Sequence, residues 1–250
     1  MRKLLFSLAF AGLGAFLGAS ARADTFAGSS FAHFHDPSGA VNQNNTTISN
    51  NGPGETNNLV TSGAGVKDAT NPLGLPNSIE MDSSIFGGVS VGDHFGVSLL
   101  RYHNGETTLG TSDTVFPVHL DINFTSPTGF TQTFSFTFDL TITPNNASPI
   151  TDPANADTLA VAAAFAPETF TIGSNIYTLE LLGFQDPANS MAPTTTTFTL
   201  PEDTDVSANL IAEITAPPTA APLPSTAWAG LALLGVVGAN MARRRYFAQA

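Results

Sequence analysis

The residues of this chain that could do chemistry are few, and none is a cysteine. That single absence removes disulfides, thiolate metal centres and thiol nucleophiles together. His33-Phe34-His35 places two imidazoles on one face of an extended backbone, a spacing that suits a metal ion. A centre needs further ligands, and the nearest in sequence is Asp36. A histidine pair on the solvated face of an early strand is the plainer account, so no metal is assigned there. Gly88-Val89-Ser90-Val91-Gly92 satisfies the Gly-x-Ser-x-Gly pattern of a nucleophile elbow, which exposes its serine at a strand-to-helix turn. Here Asp93 and a β-type run follow instead, so a glycine-rich turn between two strands is expected, and no catalytic residue is assigned.

Two oxygen-rich turns offer hard ligands of the kind calcium takes: Asp152-Pro-Ala-Asn155-Ala-Asp157 and Glu202-Asp203-Thr-Asp205. Neither has the EF-hand spacing. Asp152, Asn155, Asp157, Asp203 and Asp205 are therefore weak calcium candidates, set against solvated turns that keep an acidic surface soluble. Arg101-Tyr102-His103-Asn104 gathers polar and aromatic groups at a strand end and is the best candidate for a ligand site. Its competitor is a strand whose tyrosine packs and whose arginine pairs with a neighbouring acid. Platforms for stacking sugars are scarce, since the one tryptophan, Trp228, lies near the C-terminus and the body has only Tyr102 and Tyr177.

The elements that must position these groups read as strands. Phe134-Ser-Phe136-Thr-Phe138-Asp-Leu140-Thr-Ile142 puts five large apolar residues on one face, and Val118 to Phe124 alternates as strictly. Weaker runs lie at Phe95 to Leu99, Phe170 to Ile172, Ile176 to Leu182, Thr196 to Leu200 and Val206 to Ile214. The 19 phenylalanines and abundant threonine favour pleated, half-buried surfaces. Turn residues separate the runs at Ser126-Pro-Thr-Gly129, Thr143-Pro-Asn-Asn146, Asp186-Pro187 and Pro201-Glu-Asp203. The expectation is an all-β fold over 24–214, an antiparallel two-sheet sandwich of jelly-roll type. Residues 36–78, rich in Asn, Gly, Ser, Thr and Pro, are expected to be long loops across one end.

Charge is distributed by segment. Only Lys67 and Arg101 among the eight basic residues lie between Asp24 and Glu213, a stretch that holds all 20 acidic ones. Such a body repels phosphate and excludes nucleic acid as a partner. The remaining cations mark the two ends. Met1-Arg2-Lys3, the apolar run Leu4 to Gly18 and Ala19-Ser-Ala-Arg-Ala23 have the three regions of a signal peptide, with cleavage expected after Ala23 or after Ala21. At the other end, a Pro/Ala-rich linker (215–226) leads to the apolar segment Ala227 to Ala242 and then to Arg243-Arg244-Arg245 in a basic tail, 243–250. As a transmembrane helix those 16 or so residues would reach about 24 Å, somewhat less than a hydrocarbon core. The arginines would stay in the cytoplasm, so the body would face outward.

The order Pro222-Leu223-Pro224-Ser225, short apolar span and arginine cluster resembles the PEP-CTERM sorting signal of Gram-negative exporters, with Pro-Leu-Pro where those proteins more often carry Pro-Glu-Pro. The resemblance implies a temporary inner-membrane span, cut near the proline motif by an exosortase-type membrane peptidase after export machinery and signal peptidase have acted. The body has phrases similar to the THxN, or choice-of-anchor K, family of exported β-domains. They are Pro76 to Phe86, Asp93 to Asn104, Thr143-Pro-Asn145 and Phe170 to Phe184. Aligned on Phe95 and Asn104, Arg101 and Tyr102 stand where that family has its threonine and histidine, and only Asn104 matches. No enzymatic activity follows from the resemblance. The expectation is a non-enzymatic protein of the cell surface or extracellular matrix, associated with exopolysaccharide in a biofilm. The alternatives are a carbohydrate- or calcium-binding module and, last, a secreted hydrolase.

Overall fold

The computed structural model describes residues 24–35, 38, 45–50, 58–67, 72–163, 165–189 and 191–217. The expected signal peptide, Asp36, the motif Pro222-Leu223-Pro224-Ser225, the apolar span and Arg243, Arg244 and Arg245 lie outside the described residues. Among those described, no helix is long and apolar enough to cross a membrane.

Among the described residues, thirteen strands form two antiparallel sheets. One sheet has the order β12 (Thr197–Leu200), β9 (Asp157–Val161), β8 (Phe130–Thr141), β7 (Val115–Ser126), β1 (Thr25–Phe34), β5 (Ser84–Ser90). The other runs β10 (Glu168–Ile172), β11 (Asn175–Gln185), β13 (Thr204–Thr215), β6 (His94–Asn104), β4 (Asn77–Asp82), β3 (Asn58–Ser62), β2 (Thr46–Ser49). Both long alternating runs of the sequence are central strands of the first sheet, β7 and β8, paired from Val115↔Asp139 to Phe124↔Phe130. Their inward residues meet the inward residues of β11 and β13 as two apolar faces that bury each other. Rings interlock across the seam. Phe138 of β8 lies 5.8 Å from Phe184 of β11, and Phe26 of β1 meets Phe170 and Tyr177 edge-on at 6.1 and 5.3 Å, with Phe124 of its own sheet at 5.9 Å.

One expectation is corrected. Residues 36–78 are not all loop, because β2 and β3 lie in that stretch and extend the second sheet beyond β4. Their inward positions in β3 are Asn58, Val60 and Ser62, two of the three polar yet buried, so no apolar alternation marks the strand. Neighbours satisfy these groups: Asn58 donates to the Met81 carbonyl at 3.3 Å, and the Asp113 amide donates to Ser62 Oγ at 2.7 Å. Strands β2-β3-β4 and β7-β8-β9 pair in chain order within one sheet, while β4, β5, β6 and β7 alternate between the two.

Candidate functional site

Strand β6 ends where the second sheet meets the loops, and alternation sends its last residues to opposite faces. Arg101 and His103 point outward. Arg101 Nη1 lies 3.1 Å from Glu80 Oε1 and 2.5 Å from Asp82 Oδ2, and His103 Nδ1 is 3.0 Å from Asp205 Oδ1. Tyr102 and Asn104 point inward and are fully buried. The tyrosine hydroxyl donates to Asn104 Oδ1 at 3.2 Å, and Asn104 Nδ2 donates to the Leu200 carbonyl at 2.9 Å. The four residues do not converge on one face. Instead the inward pair borders a chamber that the acidic turns close.

Asp157 opens β9 and is 0% exposed; Glu202, in the turn before β13, is 1% exposed. One oxygen of Asp157, Oδ1, accepts from the Thr143 amide at 2.7 Å. Its other oxygen, Oδ2, is buried with no hydrogen-bond partner, and the same is true of Glu202 Oε2, Asp203 Oδ2 and Asn145 Oδ1. Asn145 gives its amide group to the Glu202 carboxylate. Asp203 reaches this position through a left-handed backbone, φ 56°, fixed by its amide donating to the Asn104 carbonyl at 2.7 Å. Buried carboxylates this short of donors resist ionisation. Burial pushes the Asp157 carboxyl up to about 6. Burial first, then repulsion from Asp157, Glu106 and Asp203, pushes Glu202 up to about 8, against the hydrogen bond from Asn145. Burial and the charges of Asp157 and Glu202 also raise Tyr102. Chemically this is a set of hard oxygen donors in a buried, acidic setting.

Of the five weak calcium candidates, Asp157 and Asp203 both lie near enough to Glu202 to raise its carboxyl. Asp152 instead caps a 3-10 turn at Pro153–Asn155, its Oδ1 accepting from the Ala154 amide at 2.9 Å. Asn155 uses its amide to stitch that loop, accepting from Ala147 N at 2.9 Å and donating to the Ala147 and Ile150 carbonyls at 3.0 and 2.9 Å. Asp205 is 78% exposed beside His103. Asn145 was missed as a donor, and Glu202 stood only as a member of its oxygen-rich turn. Both lay in segments already marked as turns, but only the fold shows that two turns some 57 residues apart face each other.

On the outer face of the first sheet, His33 sits directly opposite His119 of β7, and His35 follows two residues on. Inward neighbours Ala32, Phe34, Val118 and Leu120 hold both strands to the core. The three imidazoles offer ring nitrogens that all lie within 4.8 Å of one another. Burial, then the charges of His35 and His119, lowers His33, while Asp121 acts in the opposite sense. His119 had no signal as a partner of His33, because strand register is invisible in sequence.

Ser90 ends β5, and the turn that follows leads into β6 with Gly92 at φ 88°. The Ser90 amide donates to Asp93 Oδ2 at 2.8 Å, and the Asp93 amide donates back to the Ser90 carbonyl at 3.0 Å. The glycine-rich segment is a strand-turn-strand corner, without the helix a nucleophile elbow requires. Fold and site define an all-β sandwich with a buried carboxylate chamber at one end and a histidine cluster on one face. No protein-family model matches the chain, and no curated protein does.

Proposed function

We propose that this chain is an exported, non-enzymatic cell-surface or extracellular-matrix protein whose β body binds calcium through Asn145, Asp157, Glu202 and Asp203. The calcium reading rests on one observation: four oxygens of these side chains are buried at one end of the sandwich without a hydrogen-bond partner. Burying an ionised carboxylate is costly unless something positive meets it. Calcium takes six to eight oxygens and tolerates irregular geometry, so carboxylates, an amide oxygen and water suffice. An ion there would bridge β9, the turn before β13 and the 143–146 loop. Melting the purified full-length chain in calcium and in EDTA tests this. At calcium about 100-fold above Kd, ligation contributes about 2.7 kcal/mol, a rise in Tm of roughly 5–10 °C for a domain this size. Identical midpoints remove the calcium reading.

The export reading is supported by the way the body sits between the two address segments. The described strands all fall between Thr25, two residues past Ala23, and Thr215, ahead of Pro217-Pro218. The leader would deliver the chain through the export machinery to signal peptidase. The Pro222-Leu223-Pro224-Ser225 motif, the span and the arginine cluster would hold it briefly in the inner membrane for an exosortase-type peptidase. Exopolysaccharide is the proposed partner outside. Fractionating the producing cell tests this second reading. The product is expected at the surface or in the matrix with Met1–Ala23 removed, and an intact chain dissolved in the cytosol overturns it.

A further inference from the structure

We propose that His33, His35 and His119 form a binding site for a first-row transition-metal ion of the zinc class, on the outer face of the first sheet and independent of the carboxylate chamber. The strands provide the geometry. Antiparallel register sets His33 opposite His119, and the period-2 alternation of the chain adds His35 on the same face. Its place is fixed by a backbone bond, His35 N donating to the Pro117 carbonyl at 3.0 Å. Ring centroids are 4.6 Å apart for His33–His35, 5.4 Å for His33–His119 and 4.2 Å for His35–His119.

The ligand nitrogens lie within 4.8 Å of one another. Zn–N bonds of about 2.0–2.1 Å in tetrahedral geometry bring nitrogens to about 3.4 Å apart. Small side-chain rotations supply that closure. His33 Nδ1 and His35 Nε2 are buried without a hydrogen-bond partner. Phe31 stacks on His33 at 5.4 Å and walls one side. Asp121, two residues beyond His119 on the same face, accepts from Thr133 Oγ1 at 2.6 Å and supplies a negative charge beside the cluster. Three of the chain's five histidines thus gather where no catalytic role uses them. Three imidazoles without thiolate favour zinc, copper or nickel over calcium or magnesium, and they leave a fourth position to water.

The test is a titration of the full-length, EDTA-treated chain with Zn2+ against a chromophoric chelator, repeated in excess calcium. One equivalent per chain is expected, unchanged by calcium, and bound about 100-fold or more weakly by His119→Ala. His94→Ala and His103→Ala, outside the cluster, should bind as the parent does. His35→Gln, which keeps size and polarity, serves as the second ligand variant should His119→Ala fail to fold. Imidazole NMR signals of these three residues should be the ones that move with added Zn2+. The absence of stoichiometric binding, binding indifferent to both ligand variants, or displacement by calcium overturns the site. Because calcium enters only as a competitor, failure here leaves the carboxylate chamber untouched.

Discussion

Glu202 illustrates how one side chain sets the behaviour of its surroundings. Its carboxyl is held up to about 8 and that of Asp157 up to about 6, both first by burial. A carboxyl raised on folding keeps a proton in the native state that the unfolded chain has already lost. Its contribution is therefore complete below about pH 4 and declines as pH rises through about 6 and then about 8. In EDTA, Tm should fall across that window; with calcium, which favours the ionised pair, the fall should shrink. Glu202→Gln mimics the protonated form and should flatten most of the decline while abolishing the response to calcium. A melt of this variant that still tracks both pH and calcium would separate the chamber from both effects. Gly28 is a second residue with a defined job. A Cβ there would lie 2.1 Å from the Asn123 carbonyl oxygen and 2.9 Å from the Phe86 ring, at an irregularity in the pairing of β1 with β7. Gly28→Ala should cost about 2 kcal/mol or more, read as a lower denaturation midpoint. A midpoint within error of the parent would show that the strand can shift.

At the level of elements, β1 carries the most. It is clasped by β5 on one side and β7 on the other, and its Phe26 touches rings from both sheets. Phe26→Ala should cost about 3–5 kcal/mol, as removal of a fully buried ring does. Ile85, 89% exposed on edge strand β5, should tolerate Lys at nearly the parent stability and resist edge-to-edge association better. Chemical denaturation measures the first, and light scattering during refolding the second. Equal effects at the two positions would contradict the assignment of core and edge. This contrast also explains what the sequence disclosed. β7 and β8 bury one face completely, so Val118 to Phe124 and Phe134 to Leu140 alternate without exception. β3 buries Asn58 and Ser62 through hydrogen bonds, a solution that hydropathy cannot register. The site was half legible for a related reason. Donor-rich turns such as Asp152 to Asp157 are visible as composition, whereas the meeting of Asp157 with Glu202, or of His33 with His119, is a fact of pairing between distant segments.

For the molecule as a whole, charge imbalance dominates. Two cations stand against 20 anions between Asp24 and Glu213, and one of the two, Arg101, is already paired with Glu80 and Asp82. Such a body repels itself, and salt relieves part of that repulsion. Raising NaCl from about 0.01 to 0.15 M in EDTA shortens the screening length from about 30 to 8 Å. Tm should rise with it, and rise less once calcium is present; a Tm that falls with salt would mean attractive pairs outweigh the repulsion. The placement of β1 has one more consequence. The first described strand, β1, finds its two neighbours only when Ser84–Ser90 and Val115–Ser126 have been made available. If the chain is threaded through a pore amino end first, its opening strand must wait about 50 further residues for β5 and about 80 for β7. Closure of that sheet would then be reserved for the far side of the barrier.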